Sequence, residues 1–165
     1  MDRISQIINV IEKNPGIKFR EIMRETGLKN GVLSYHAKKL EESGSVKIQR
    51  SSGETRFYPL FITEQESILI RSLRQDTPRY ILLSLLDGKS LPFATIVQRA
   101  HKSASTVSTY LGRLVDDGVV EIKMVDLKRV YQLKNTDMVR EIIQKYNPVL
   151  LERTAYNLAD TFSSL

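Results

Sequence analysis

The feature that most constrains the fold is an internal repeat. Sliding the sequence by 74 positions places residues 17–60 on residues 91–133, and near the end of the repeat the letters match best after one deletion. A repeat of this kind predicts two versions of one small domain, each of about 55–60 residues and so near the lower limit for independent folding. The matched pairs include Phe19/Phe93, Leu40/Leu114, Gly44/Gly118 and, after the deletion, Arg56/Arg129.

Hydrophobic spacing predicts the same order of elements in both repeats: three helices followed by a hairpin. In repeat one, Ile4, Ile7, Ile8 and Ile11 recur at helical spacing, whereas Val46 and Ile48 alternate with polar residues as in a half-buried strand. This order is that of a winged helix, so the predicted fold class is mainly α with small β-hairpin wings. The predicted helices cover 2–13, 19–25, 78–86, 93–100 and 104–117, and a further helix begins after Asn30 as its N-cap. The predicted strands lie at 46–49, 55–60, 119–124 and 128–133.

The repeats divide the chain into four predicted parts. Residues 1–62 and 78–134 form two tandem winged helix-turn-helix domains, and residues 63–77 a linker helix, which begins at the capping-box pattern Thr63-x-x-Glu66. Residues 135–165 form C-terminal helices. In the last of these, apolar residues spaced four, three and four apart predict a seam that pairs two chains into a homodimer or packs back on the domains: Leu151, Ala155, Leu158 and Phe162.

The positive charge is concentrated in the two repeats. Residues 1–62 carry eleven Lys/Arg and seven Asp/Glu, and residues 78–134 carry nine and five, whereas the two connecting parts are close to neutral. Basic charge confined to two repeated domains is typical of nucleic-acid binding. The expected partner is double-stranded DNA.

In a helix-turn-helix, the second of the two crossed helices lies in the major groove. The third helix of each repeat takes that place, and the face opposite its buried stripe is polar. The candidate DNA-binding residues of repeat one are Lys29, Asn30, Ser34, Tyr35 and Lys38 on the helix, with Arg50 and Arg56 on the wing. Those of repeat two are Lys102, Ser105, Thr106, Ser108, Thr109 and Arg113 on the helix, with Lys123, Lys128 and Arg129 on the wing.

The run Leu33–Leu40, with Gly44 and Val46 after it, resembles the recognition helix of ArsR- and MarR-like winged-helix regulators, as does Val107–Leu111. Two such domains in one short chain are similar to archaeal tandem winged-helix regulators, including the euryarchaeal archaellum regulators. This resemblance implies a transcription regulator that activates archaellum genes. For repeat two, an alternative to DNA binding is contact with a second chain or with the transcription machinery, since its first helix, Tyr80–Leu86, is apolar enough for burial against a partner. The cysteine metal ligands of ArsR sensors are missing, so the resemblance does not extend to metal sensing.

Other functional classes find less support in the sequence. The chain has no cysteine, which excludes disulfides and cysteine metal sites. Its N-terminus lacks the continuous apolar core of a signal peptide, and no apolar run has the roughly 20 residues that cross a bilayer, so we expect a cytoplasmic protein without membrane contact. Ser34 and Ser108 have no His-Asp arrangement in matched positions and no phosphate-binding glycine loop is present, so we expect neither enzyme activity nor a cofactor or metal. The alternative is a tandem winged-helix scaffold for protein docking, as in condensin-associated ScpB-like or ESCRT-II-like proteins.

Overall fold

The computed structural model describes residues 2–51 and 53–146. Its chain divides between Ser67 and Ile68 into two compact units, called unit 1 and unit 2. The four-part division that we predicted from the sequence stays a prediction, and the apolar seam at Leu151, Ala155, Leu158 and Phe162 lies outside the described residues.

Unit 1 begins with three helices and a short strand. They are α1 (Arg3–Lys13), β1 (Ile17–Lys18), α2 (Phe19–Thr26) and α3 (Asn30–Glu42). The Asp2 carboxylate caps α1 by accepting a hydrogen bond from the Ser5 N–H at 2.7 Å. Gly27 ends α2 in the left-handed conformation, with φ of 73°, which a glycine adopts without steric cost.

A three-stranded antiparallel sheet completes unit 1. Strands β2 (Val46–Ser51) and β3 (Glu54–Pro59) form the wing hairpin, and β1 pairs with the other edge of β3. The core lies between the three helices and this sheet. Full burial of an isoleucine, leucine or phenylalanine side chain stabilises a fold by about 1.5–3 kcal/mol. The most buried members of the core are Ile7, Ile11, Ile17, Ile22, Leu33 and Phe57.

Helix α4 (Glu64–Leu73) spans the division between the units. It begins with the predicted capping box: the Thr63 N–H donates to Glu66 Oε1 at 3.0 Å, and the Glu66 N–H donates to Thr63 Oγ1 at 3.1 Å. Its apolar residues Leu69, Ile70 and Leu73 are buried. This burial shows that α4 is part of the packed structure and not an exposed spacer, and the helix ends at Leu73, before the end of the predicted linker at residue 77.

Unit 2 repeats the plan of unit 1. Its helices are α5 (Asp76–Gly88), α6 (Phe93–Ala100) and α7 (Ala104–Asp116), and its wing is formed by β4 (Val120–Val125) and β5 (Lys128–Leu133). In place of β1 it has a single bridge, in which Leu91 and Tyr131 exchange two backbone hydrogen bonds of 2.9 and 2.8 Å. Residues 136–146 are helical and bury Val139, Ile142 and Tyr146. The mainly α fold with small hairpin wings is therefore confirmed.

The register of the two hairpins corrects the sequence alignment. In unit 1 Ile48 pairs with Phe57, and in unit 2 Ile122 pairs with Tyr131. Both members of the second pair follow their counterparts by 74 positions, so the repeat contains no deletion. The two strands of each hairpin are separated by the same number of residues in the sequence, which keeps the offset constant. Arg129 is consequently the counterpart of Thr55, and Arg56 is that of Val130.

Candidate nucleic-acid interface

Helix α3 separates its apolar and polar residues onto opposite faces. Leu33, Ala37 and Leu40 are at most 6% exposed and face the core. The predicted contact residues on the other face are all exposed: Lys29, Asn30, Ser34, Tyr35 and Lys38. The helix begins one residue earlier than predicted: Asn30 is its first residue, and the cap position is occupied by Lys29 without a side-chain hydrogen bond. Asn30 instead accepts a hydrogen bond from the Ser34 hydroxyl at 3.2 Å.

The N-terminal end of α3 adds a cation that the sequence analysis did not select. Arg3, at the start of α1, lines a shallow depression with Lys29, Gly31, Tyr35 and His36. Arg3 is exposed, so its guanidinium is available beside the first turn of α3, where free backbone N–H groups also attract anions. The packing of α1 brings these residues together, and no local sequence pattern around Arg3 indicates it.

The two wing arginines of unit 1 differ in availability. Arg50 is 62% exposed on its side chain and makes a bidentate ion pair with Glu41, with nitrogen–oxygen distances of 2.8 and 3.0 Å. The hydrogen bonds from Arg50 lower the pKa of the Glu41 carboxyl, despite partial burial that acts in the opposite direction. Since the pair lies at the surface, a phosphate can replace the Glu41 carboxylate at modest cost.

Arg56 corrects our prediction, because it is not available for DNA. It is 3% exposed; its guanidinium donates to both oxygens of Glu54, at 2.9 and 3.2 Å, and to the carbonyl of Gly16 at 2.9 Å. Strand β3 places this side chain inward, where it ties the wing to the backbone before β1. Its role in the fold is structural.

The recognition-helix position of unit 2 is occupied by α7. The Ser103 hydroxyl caps this helix by accepting from the Thr106 N–H at 3.2 Å, and it donates to the Thr106 hydroxyl at 2.8 Å. The Thr109 hydroxyl donates to the carbonyl of Ser105. Arg113 lies 5.1 Å from the ring centre of Tyr110. All but one of the predicted contact residues of unit 2 are exposed, the exception being the half-buried Thr106: Lys102, Ser105, Ser108, Thr109, Arg113, Lys123, Lys128 and Arg129.

The structure thus arranges the predicted residues in two groups, one on each unit. Within the described residues, no cluster of three or more His, Asp or Glu side chains has the arrangement of a metal site. The part of the chain that the structure describes also contains no helix that is both long and apolar enough to cross a membrane. His36 is half-buried, with its ring edge-on to that of Tyr35 and the ring centres 5.3 Å apart.

Comparison with known proteins supports the helix-turn-helix assignment. A family model described as an N-terminal HTH domain, HTH_HVO_0163_N, matches residues 1–69. A search of curated proteins gives no match. Among solved structures, the DIP2311 protein from Corynebacterium diphtheriae is 16% identical over 79% of this chain and 26% of its own length, with a TM-score of 0.32. The chain therefore spans about a quarter of that protein, and the likeness is too low to carry an inference. The matched N-terminal HTH domain indicates a DNA-binding regulator.

Proposed function

We propose that the chain is a sequence-specific transcription regulator whose main DNA-reading element is α3 of unit 1. The observation that carries the proposal is the exposed polar face of α3. No carboxylate lies within ion-pair distance of Lys29 or Lys38 among the described residues, so both ammonium groups are available to phosphates. Asn30, Ser34 and Tyr35 lie beside them, with groups that can bond to base edges.

The wing contributes to the same interface. The groove between α3 and the β2–β3 hairpin, called groove 1, has a volume of about 440 Å³ and includes Ser34, Lys38, Glu41 and Arg50 in its lining. Docking α3 in the major groove brings a DNA backbone alongside this hairpin. Arg50 then exchanges Glu41 for a phosphate. The finer assignment, activation of archaellum genes, is proposed from the family resemblance alone, and contact with the transcription machinery from the apolar sequence of Tyr80–Leu86.

The first experiment selects bound duplexes from a genomic library and measures their affinity at several salt concentrations. Lys38→Ala should weaken binding of every selected sequence and reduce the slope of log affinity against log salt by about 0.9, as expected for one lost phosphate contact. Asn30→Ala should instead relax the preference at one base pair, at a cost of about 1–3 kcal/mol on the preferred sequence. Lys13→Ala is the matched control, since it removes an exposed cation from the far end of α1.

Equal effects of Lys38→Ala and Lys13→Ala would contradict the assignment of α3, because they would show that only total charge matters. No binding to any duplex at physiological salt would favour the alternative, a tandem winged-helix scaffold for protein docking.

One observation supports a protein contact in unit 2, where the wing exposes apolar side chains.

A further inference from the structure

The wing of unit 2 has an apolar tip. Leu127 is 95% exposed, Met124 64% and Val125 50%. Exposed apolar side chains that are clustered in this way are typical of an interaction surface. The tip of the unit 1 wing differs at the counterparts of these residues, which are Arg50 for Met124, Ser51 for Val125 and Gly53 for Leu127.

The backbone at this tip is unfavourable for leucine. Asp126 and Leu127 have φ values of 52° and 65°, so both central residues of the turn are left-handed. Glycine and asparagine are the preferred residues there, and a left-handed leucine costs about 1–2 kcal/mol. The unit 1 counterpart, Gly53, has φ of 80° and no such cost. Unit 2 thus retains an exposed leucine where the local conformation disfavours it.

Next to this tip, unit 2 has an apolar groove. It lies between α7 and the β4–β5 hairpin, is called groove 2, and has a volume of about 520 Å³. Two charged residues of groove 1 have uncharged counterparts in groove 2: Lys38 corresponds to Gly112 and Glu41 to Val115. A side chain at Gly112 would meet nothing within 4 Å, so the groove is open there. The apolar lining also includes Phe93, Leu111, Ile122 and Tyr131.

The charges around the tip and the groove are complementary. The tip leucine is flanked in sequence by Asp126 and Lys128, and groove 2 carries Asp116 and Arg129. None of the four has an ion-pair partner among the described residues. A tip inserted into a groove of this kind can place Asp126 against Arg129 and Lys128 against Asp116.

We propose that unit 2 forms a homodimer in which the wing tip of each protomer inserts Leu127 into groove 2 of its partner. A surface that carries both a projection and a matching groove is self-complementary, which is the requirement of a twofold interface. Groove 1 shares part of the apolar lining but carries Lys38 and Glu41 in it, and its wing lacks the projection, so unit 1 remains free for DNA. The proposal does not depend on DNA binding, and its test uses protein alone.

The test measures the mass of the full chain by sedimentation across micromolar concentrations. Leu127→Gly and Gly112→Lys each give unit 2 the residue that unit 1 has at the matched position. Each should weaken dimerisation by about tenfold or more, since it removes the projection or puts a charge in the groove. Leu60→Asn is the control, because Leu60 is also 58% exposed but lies in unit 1; it should leave the mass unchanged.

Cross-linking tests the geometry directly, because the natural chain has no cysteine. Leu127→Cys and Gly112→Cys proteins are mixed and treated with a short bismaleimide. A covalent dimer should form in the mixture and not with either protein alone. Three outcomes overturn the proposal. The first is a monomer at every concentration, and the second is failure of the mixed pair to cross-link. The third is a dimer that neither Leu127→Gly nor Gly112→Lys weakens, which would be expected if residues 151–165 formed the interface.

Discussion

At the residue scale, Arg56 shows how the environment of a side chain decides its role. The sequence places an arginine on a predicted wing of a basic domain, which is typical of a phosphate contact. Strand β1 adds a third strand beside β3, and pairs Lys18 with Arg56, so this part of the hairpin is covered. A buried guanidinium is tolerated only when its donors are satisfied, and Glu54 with the Gly16 carbonyl does so.

Replacing this arginine should therefore reduce stability. Arg56→Met leaves the Glu54 carboxylate, whose side chain is 19% exposed, without its main partner, and we expect a loss of about 3 kcal/mol in the free energy of unfolding. Urea denaturation of the full chain measures it. Arg50→Met serves as the control: its surface pair with Glu41 should contribute less than about 1 kcal/mol.

Acid titration distinguishes loss of the pair from loss of packing. Burial raises the pKa of the Glu54 carboxyl, but the hydrogen bonds and charge of Arg56, with Lys18, outweigh it and lower the pKa overall. A lowered folded-state pKa stabilises the protein above the unfolded value, about 4.3, and this contribution is lost as pH falls through the folded value. The stability difference between wild type and Arg56→Met should narrow in acid. A difference independent of pH would mean that packing alone is responsible.

At the element scale, local signals predicted most of the helices and strands. The apolar spacing of α1 and the Thr63/Glu66 capping box appear as expected, because each depends on residues within one or two turns. The predicted alignment of the two wings was wrong, because matching letters aligned Arg56 with Arg129. Strand pairing fixes the register instead: the pairs Ile48–Phe57 and Ile122–Tyr131 have the same spacing, so the repeat contains no deletion.

The candidate site was harder to predict than the elements. The exposed face of α3 follows from helical periodicity, so those residues were predictable. The neighbourhood of Arg3 depends on how α1 packs near α3, and the opening of groove 2 depends on which side chains of α7 and the hairpin face each other. Such contacts between elements distant in sequence are not determined by any local pattern.

The second hairpin allows a test at this scale. Leu127→Gly removes the left-handed strain and should stabilise unit 2 by about 1 kcal/mol, which raises the melting temperature by about 2–4 °C in a chain of this size. The measurement is made at low protein concentration, where dimerisation contributes little. Gly53→Leu is the reciprocal variant and should lower the melting temperature. A lower melting temperature for Leu127→Gly would mean that Leu127 makes stabilising contacts within its own unit.

At the scale of the whole molecule, the two units use one scaffold for different surfaces. Their matched core positions keep the same character, as in Leu33 and Val107 or Leu40 and Leu114, which are all at most 5% exposed. Their outer positions differ in chemistry, with lysines and an exposed ion pair in unit 1 and apolar groups in unit 2. A repeated domain that keeps its core can change its exposed face without loss of stability, because surface substitutions have small effects.

If both proposals hold, DNA affinity depends on dimerisation in a defined way. A dimer through unit 2 carries two α3 helices, so a duplex with two half-sites should bind it about 10²–10⁴-fold more tightly than a duplex with one. The salt slope on the double site should be about twice that on the single site, because twice as many phosphates are contacted. Leu127→Gly should abolish the excess affinity and return the slope to the single-site value, while single-site affinity stays unchanged.

The single-site measurement separates the two proposals. Loss of single-site binding in Lys38→Ala together with an intact dimer would support the role of α3 and leave the dimer interface unaffected. Equal affinity of the wild type for single and double sites, at concentrations where sedimentation shows a dimer, would mean that dimerisation does not place two heads on one duplex. The dimer would then serve another purpose, because an interface distant from the DNA adds affinity only when both heads reach their half-sites at once.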